Sequence, residues 1–197
     1  NVGDTDGNVY VGYNAGYSNI SGSGLTMLGF KAGQNATGSY NTFLGYQTGQ
    51  GYSGAAATTG NSNTAIGYQS MRVFTSGDQN VAIGREAGVN LTTGDQNTFI
   101  GTYAGNQSTS QNYNTFVGQG AGYGVDGGDG NNVVVGRQAL YYGDNNANNI
   151  VMGNLALYGT SGGGNNAYRN VAIGTSALQN TSTGDDNIAI GYRAGKD

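Results

Sequence analysis

Short apolar alternations, each closed by a glycine, recur along the whole chain. In Asn80-Val81-Ala82-Ile83-Gly84, residues 81 and 83 share one face and residue 82 takes the other, the period-two signature of a short strand. With that glycine as anchor, eleven copies stand at Gly12, Gly29, Gly45, Gly67, Gly84, Gly101, Gly118, Gly136, Gly153, Gly174 and Gly191. The gaps between them are 17, 16, 22, 17, 17, 17, 18, 17, 21 and 17 residues. A period this regular predicts a repeat architecture before any local propensity is consulted. Apolar residues nowhere recur for long at three-and-four spacing, so helices are not expected.

Each strand is expected to put the residues three and one places before the anchor into the core. The residues directly before it, Val11, Leu28, Leu44, Ile66, Ile83, Ile100, Val117, Val135, Met152, Ile173 and Ile190, are the expected core row. The residue between them varies among Ala, Phe, Val, Tyr10 and Met27, and is expected to face outward against another chain. Three places after the anchor the residue is always small, from Ala15 through Thr48 and Ser70 to Ala194. Segments such as Arg85-Glu86-Ala87-Gly88 are read as a second strand that fits this small residue into a thin interior. Seven places before the anchor, glycine occurs in six copies (22, 38, 60, 77, 94 and 184), where a left-handed turn is expected.

Four places before the anchor stands Asn8, Asn41, Asn63, Asn80, Asn97, Asn114, Asn132, Asn149, Asn170 or Asn187, with Leu25 the one exception. Stacked coil upon coil, these amides are expected to form a ladder; the alternative is a local turn cap in each coil. The fold class is therefore all-β, a parallel β-solenoid (β-roll or β-helix) of eleven repeats with about 17 residues per coil. It forms one domain over residues 1–197, a rod on the order of 50 Å long at the usual strand spacing.

Composition narrows the function. Charged residues make up 9% of the chain, 39 residues are Gly, and there is no Pro, Cys, His or Trp. A net charge of −4 with seven scattered basic residues offers no basic stripe for nucleic acid. No apolar run approaches the roughly 18 residues of a membrane span. With no His or Cys, a single Glu (Glu86) and no phosphate loop in a strand-to-helix setting, no enzyme activity is expected. Nor is a cofactor expected, apart from a weak calcium candidate: Asp78 and Asp95 occupy the same place in consecutive coils, and stacking would bring both carboxylates together. Full calcium-binding β-rolls carry a nine-residue Gly- and Asp-rich repeat, of which Gly127-Gly128-Asp129-Gly130 is only a fragment, so solvated turn aspartates are the favoured reading.

Other candidates are weaker. The long gaps hold Gln50–Ala57 and Gly159–Asn166, insertions that would project as loops. Tyr13, Tyr46, Tyr68 and Tyr192, with Phe30, directly follow their anchors and form an aromatic row suited to a sister chain or a sugar. Asn19, Asn35, Asn90, Asn106 and Asn180 begin Asn-X-Ser/Thr sequons. Thr26, Thr42, Thr64, Thr98 and Thr115 precede the anchor by three places; expected to face inward, they do not indicate a regular ice-binding array.

At Asn80-Val81-Ala82-Ile83-Gly84-Arg85-Glu86-Ala87 and Asn170-Val171-Ala172-Ile173-Gly174-Thr175-Ser176-Ala177 the chain resembles the head repeats of trimeric autotransporter adhesins. Residues 175–184 also look like Gly- and Asn-rich repeats of phage tail fibres and large bacterial surface proteins. The resemblance implies a left-handed parallel β-roll, often trimeric, exposed outside the cell or virion and used for attachment.

The chain starts at Asn1 without a Met or a leader and is read as a processed product or a fragment. Its first and last repeats are on pattern, and a head-to-tail junction would space the anchors by 18 residues, a value already present inside. The expected function is therefore a structural, extracellular fibre or filament subunit that stacks end to end. The alternative is an adhesin or tail-fibre segment, at a cell or virion surface, that binds a receptor or glycan. The expected partner is the chain itself, as a head-to-tail filament or a homotrimer.

Overall fold

Residues 7–52, 58–161, 166–181 and 183–196 are described by the computed structural model. Each copy of the repeat is one coil of a parallel β-solenoid, and no helix occurs among the described residues. One three-residue strand per coil, from Val9–Val11 to Ile188–Ile190, pairs with its successor in a parallel sheet of eleven strands in chain order. Within each pair, equivalent repeat positions are partners, as in Val81↔Thr98, Ala82↔Phe99 and Ile83↔Ile100. A second sheet joins Gly127–Gly130, Asn145–Ala147, Asn166–Tyr168 and Thr183–Asp185 on the later coils.

The faces of the strand are the reverse of the sequence expectation. The middle residue is buried: Phe43, Ala65, Phe99, Phe116, Val134 and Val151 are fully inside. The expected core row points outward, with Val11 53%, Leu28 43%, Leu44 36%, Ile100 38%, Met152 42% and Ile190 67% exposed. Ile66, Ile83, Val117, Val135 and Ile173 of that row are half-buried. The inward residues share strand parity with the asparagine four places before the anchor, and that asparagine is fully buried in the interior coils.

In nine of the eleven coils the core is filled by exchange of volume within the coil, Ala82 with Gly88 and Ala189 with Gly195 being the exceptions. Where the strand's middle residue is large, the residue four places after the anchor is Gly: Met27 with Gly33, Phe43 with Gly49, Phe99 with Gly105, Phe116 with Gly122. Where the middle residue is smaller, Met or Leu takes that place: Ala65 with Met71, Val134 with Leu140, Val151 with Leu157, Ala172 with Leu178. A Cβ on Gly105 would lie 2.9 Å from the Phe99 ring. Gly88, which follows Ala82, faces Phe99 of the next coil instead, at 2.8 Å from such a Cβ.

The expected second strand after the anchor is a turn. Residues two and four places on are left-handed, as at Glu86 (φ 54°) and Gly88 (φ 54°), or at Gln138 (φ 52°) and Leu140 (φ 49°). The small residue between them is buried, and its N–H returns to the anchor carbonyl, as from Ala104 to Gly101 at 3.2 Å. The glycines seven places before the anchor are not left-handed either; the left-handed residue comes two places later, at Ser62, Gln79 and Gln96. Glycine is favoured at the earlier place because a Cβ on Gly60 or Gly94 would strike the carbonyl of the next coil.

Volume exchange makes a double substitution the sharpest check. Phe99→Ala alone is expected to cost about 3–5 kcal/mol, and Gly105→Leu alone to destabilise by overpacking against Phe99. Together they recreate the Ala172/Leu178 arrangement. The double variant is expected to recover at least half of the Phe99→Ala loss in a urea titration; simple addition of the two losses would overturn the account.

Candidate interaction surface

Two side-chain ladders run along the rod, the first buried and the second at the turn surface. In the first, from Asn63 to Asn187, each asparagine Oδ1 accepts two bonds from the next asparagine. The backbone N–H donates at 2.9–3.1 Å and Nδ2 at 2.9–3.2 Å. Nδ2 also donates to a carbonyl seven places before the next anchor, as from Asn80 to Gly94 at 2.8 Å and from Asn97 to Gln111 at 2.8 Å. The amide thus meets its hydrogen-bonding demand away from water. The ladder starts more simply: Asn8 Oδ1 accepts from the N–H of Leu25, and Asn41 Oδ1 from the N–H of Asn63, each at 2.8 Å.

The second ladder holds the calcium candidates. Asn61 N–H donates to Asp78 Oδ1 at 2.6 Å, Asp78 N–H to Asp95 Oδ1 at 2.7 Å, and Asp95 N–H to Asn112 Oδ1 at 2.7 Å. It runs in the opposite sense to the first, each coil accepting from the one before. Asp78 and Asp95 do meet on successive coils, yet each has one oxygen committed to a backbone amide. Among the described residues no group of three or more His, Cys, Asp or Glu comes together. Ser39 and Asn112 take the same place in other coils, which marks it as a turn acceptor.

The outer sheet face is different in kind. The row directly before the anchors is aliphatic in every coil, and the row two places earlier is Thr, Val or Ile. Thr26, Thr42, Thr64, Thr98 and Thr115 lie on this outward face, opposite to expectation, interrupted by Val81 and succeeded by Val133. Beside them Tyr13, Phe30, Tyr46 and Tyr68 form one continuous stack with ring centroids 5.1–5.4 Å apart. Stacked rings cover each other's faces, so a sugar would meet mainly ring edges. Arg85 caps the stack over Tyr68 and also lies over Tyr103. Tyr192 stands apart, beneath Arg193.

A second tyrosine stack, Tyr123, Tyr141 and Tyr158, follows the turns, with Tyr142 edge-on to both Tyr141 and Tyr158. Burial pushes the Tyr141 hydroxyl pKa up, helped by Tyr123 and Tyr142. Near the last coils, hydrogen bonding to the Arg169 guanidinium holds the Asp186 carboxyl below the usual carboxylate range.

The sequons are largely occupied. Asn90 Nδ2 donates to the Asn106 carbonyl at 2.9 Å, Asn106 is 8% exposed, and Asn19 Nδ2 bonds to Gly22 O and the Tyr10 hydroxyl. Of the two insertions, residues 53–57 and 162–165 lie outside the described residues. No helix among the described residues is long and apolar enough to cross a membrane. No family model matches the chain, and neither a curated protein nor a solved structure shows significant similarity to it.

Asn97→Asp tests the buried ladder with almost no change of shape. The carboxylate replaces a double donor by an acceptor facing Asn80 Oδ1 and the Gln111 carbonyl. Burial raises a carboxyl pKa, so the folded state binds more protons than the unfolded state above about pH 4. Stability relative to wild type is therefore expected to fall as pH rises from about 4 to 7, by about 2–4 kcal/mol at pH 7. Parallel urea titrations at the two pH values check it; a pH-independent difference would show that the site is not desolvated.

Proposed function

We propose that this chain is a structural rod segment of an extracellular fibre or surface appendage, in which copies of the chain associate along the outer face of the eleven-stranded sheet. The observation that carries the reading is the unbroken aliphatic row directly before the anchors, which lies outside the coil rather than in its core. An aliphatic residue or Met at all eleven rungs is far more regular than scattered surface apolar residues.

The dimensions suit a partner of the same kind. Eleven rungs at about 4.8 Å and three residue rows bound the face at roughly 50 by 14 Å, so a pair buries at most about 1,400 Å² in total, a ceiling within the range of stable interfaces. A second copy carries the same rung spacing, so its side chains can interdigitate along the full length. Each coil contacts only its neighbours, so the rod also extends along its axis without redesign, which suits a filament. The attachment reading, a segment that binds a receptor or glycan, draws on the Tyr123, Tyr141, Tyr142 and Tyr158 cluster on another side of the rod.

Light scattering coupled to size exclusion tests the proposal. The chain is expected to elute as a multiple of its 20.0 kDa mass, and Ile83→Lys combined with Ile100→Lys is expected to yield folded monomers. A monomeric wild-type chain at about 100 μM, well above the dissociation constant of a standard-size interface, would sink the self-association reading.

A further inference from the structure

We infer that copies of the chain meet along a stripe that crosses the sheet face obliquely, so that the rods wrap around one another instead of lying straight. The inference rests on the self-association proposed above. It comes from the two rows that flank the constant aliphatic row, which exchange character along the rod.

In the second to fourth coils the flank after the anchor is aromatic, Phe30, Tyr46 and Tyr68, at 37%, 45% and 46% exposure. The flank three places before it is Thr26, Thr42 and Thr64. In the eighth to tenth coils the order is reversed: Val133, Ile150 and Val171 stand before the anchor, and Arg137, Asn154 and Thr175 stand after it. Val133 and Ile150 are 42% and 44% exposed. The exchange first shows in the fifth coil, where Val81 stands before the anchor and Arg85 after it; in the sixth and seventh coils both flanks are polar, with Thr98 and Thr115 on one side and Thr102 and Gln119 on the other. In those two coils the stripe narrows to Ile100 and Val117. The first and last coils are apolar on both flanks, through Val9 and Tyr13, and Ile188 and Tyr192.

From the second-to-fourth coils to the eighth-to-tenth, the mean centre of the apolar stripe therefore moves sideways by two residues, about 7 Å, over six coils, about 29 Å, a mean obliquity of roughly 13° to the residue rows. A helix whose apolar seam drifts across its surface supercoils to keep that seam in contact, and the same geometry applies to any rod. Straight side-by-side packing would bury Thr42 or Arg137 at one end while leaving Tyr46 or Ile150 wet. Crossing rods keep the aromatic flank in contact at one end and the β-branched flank at the other.

Four single substitutions to Lys separate an oblique contact from a straight one, read as the concentration at which the assembly dissociates. Tyr46→Lys and Ile150→Lys lie on the stripe and are expected to raise that concentration about tenfold or more, as loss of a buried apolar contact does. Thr42→Lys and Asn154→Lys occupy the same two repeat positions off the stripe, and are expected to stay within about threefold, as interface-rim changes do. Circular dichroism checks that each variant folds. Should a Lys variant lose its β signature, Tyr46→Thr and Ile150→Thr replace it, since Thr stands at those places in other coils. Equal sensitivity at both ends of each row would overturn the oblique contact while leaving self-association intact. A monomeric wild-type chain would overturn both.

Discussion

At every anchor but the last, Gly191, the backbone of one coil lies against the backbone of the next with no room for a side chain. A Cβ on Gly84 would sit 2.6 Å from the carbonyl oxygen of Gly101, and the glycine φ of 135° is one that L side chains rarely adopt. This close approach sets the rest of the structure. It lets Gly101 N–H reach Ile83 O at 2.8 Å directly after the strand, so the ladder of backbone bonds continues from strand into turn. It then persists around the coil, through Tyr103 N–H to Arg85 O at 2.9 Å, Gly88 N–H to Ala104 O at 2.9 Å, and Thr92 N–H to Thr109 O at 2.8 Å. Three-residue strands would be marginal alone. Here most of the coil is laddered, whether or not its dihedral angles are those of a strand.

The two side-chain ladders complete this arrangement. A thin solenoid has little apolar volume per coil, and the inner face of each strand gives one of its places to an amide. That amide is tolerable only because stacking supplies its partners at a fixed spacing. Leu25 shows the alternative: it is fully buried at an asparagine place, and its backbone N–H still donates to Asn8 Oδ1. Leu25 in turn offers Asn41 of the next coil no side-chain acceptor, so the ladder tolerates one missing rung near its start. The Asp78 and Asp95 carboxylates act in the same way at the turn, which leaves little to distinguish them chemically from Asn61 and Asn112.

The repeat, its period and the parallel stacking were legible in the sequence, because the glycine and asparagine places are set by backbone contacts that tolerate few alternatives. The inside and outside of the strand were not read correctly. Alternation defines two faces but does not label them, and β-branched residues such as Val81 and Ile83 are the usual mark of a buried face. Two signals at hand would have labelled them. Asn80 and Ala82 share parity, so a buried ladder carries the middle residue inside with it. The size of Phe99 against Gly105, and of Ala172 against Leu178, shows two side chains sharing one space. The turns were misread for another reason: Glu86, Gln138 and Leu140 are left-handed without being glycine, a state imposed by the stacked coil and not by their own preference.

Placing Val81 and Ile83 outside changes what the rod must do. An inward aliphatic row would have completed the core and left only a variable outer face to meet another chain. An outward row instead leaves a coil that is already filled, by Ala, Phe and the compensating Gly or Leu, while keeping β-branched residues in the open at every rung. Strand propensity alone does not require this, since Thr serves a strand equally well and does so at Thr42, Thr98 and Thr115. Thr never appears in the row next to the anchor, where only Val, Leu, Ile and Met occur. The two rows share one face, and both belong to the same strands. Strand propensity does not account for the difference between them, and it is this difference, along the row's full length, that the proposed contact between copies of the chain would explain.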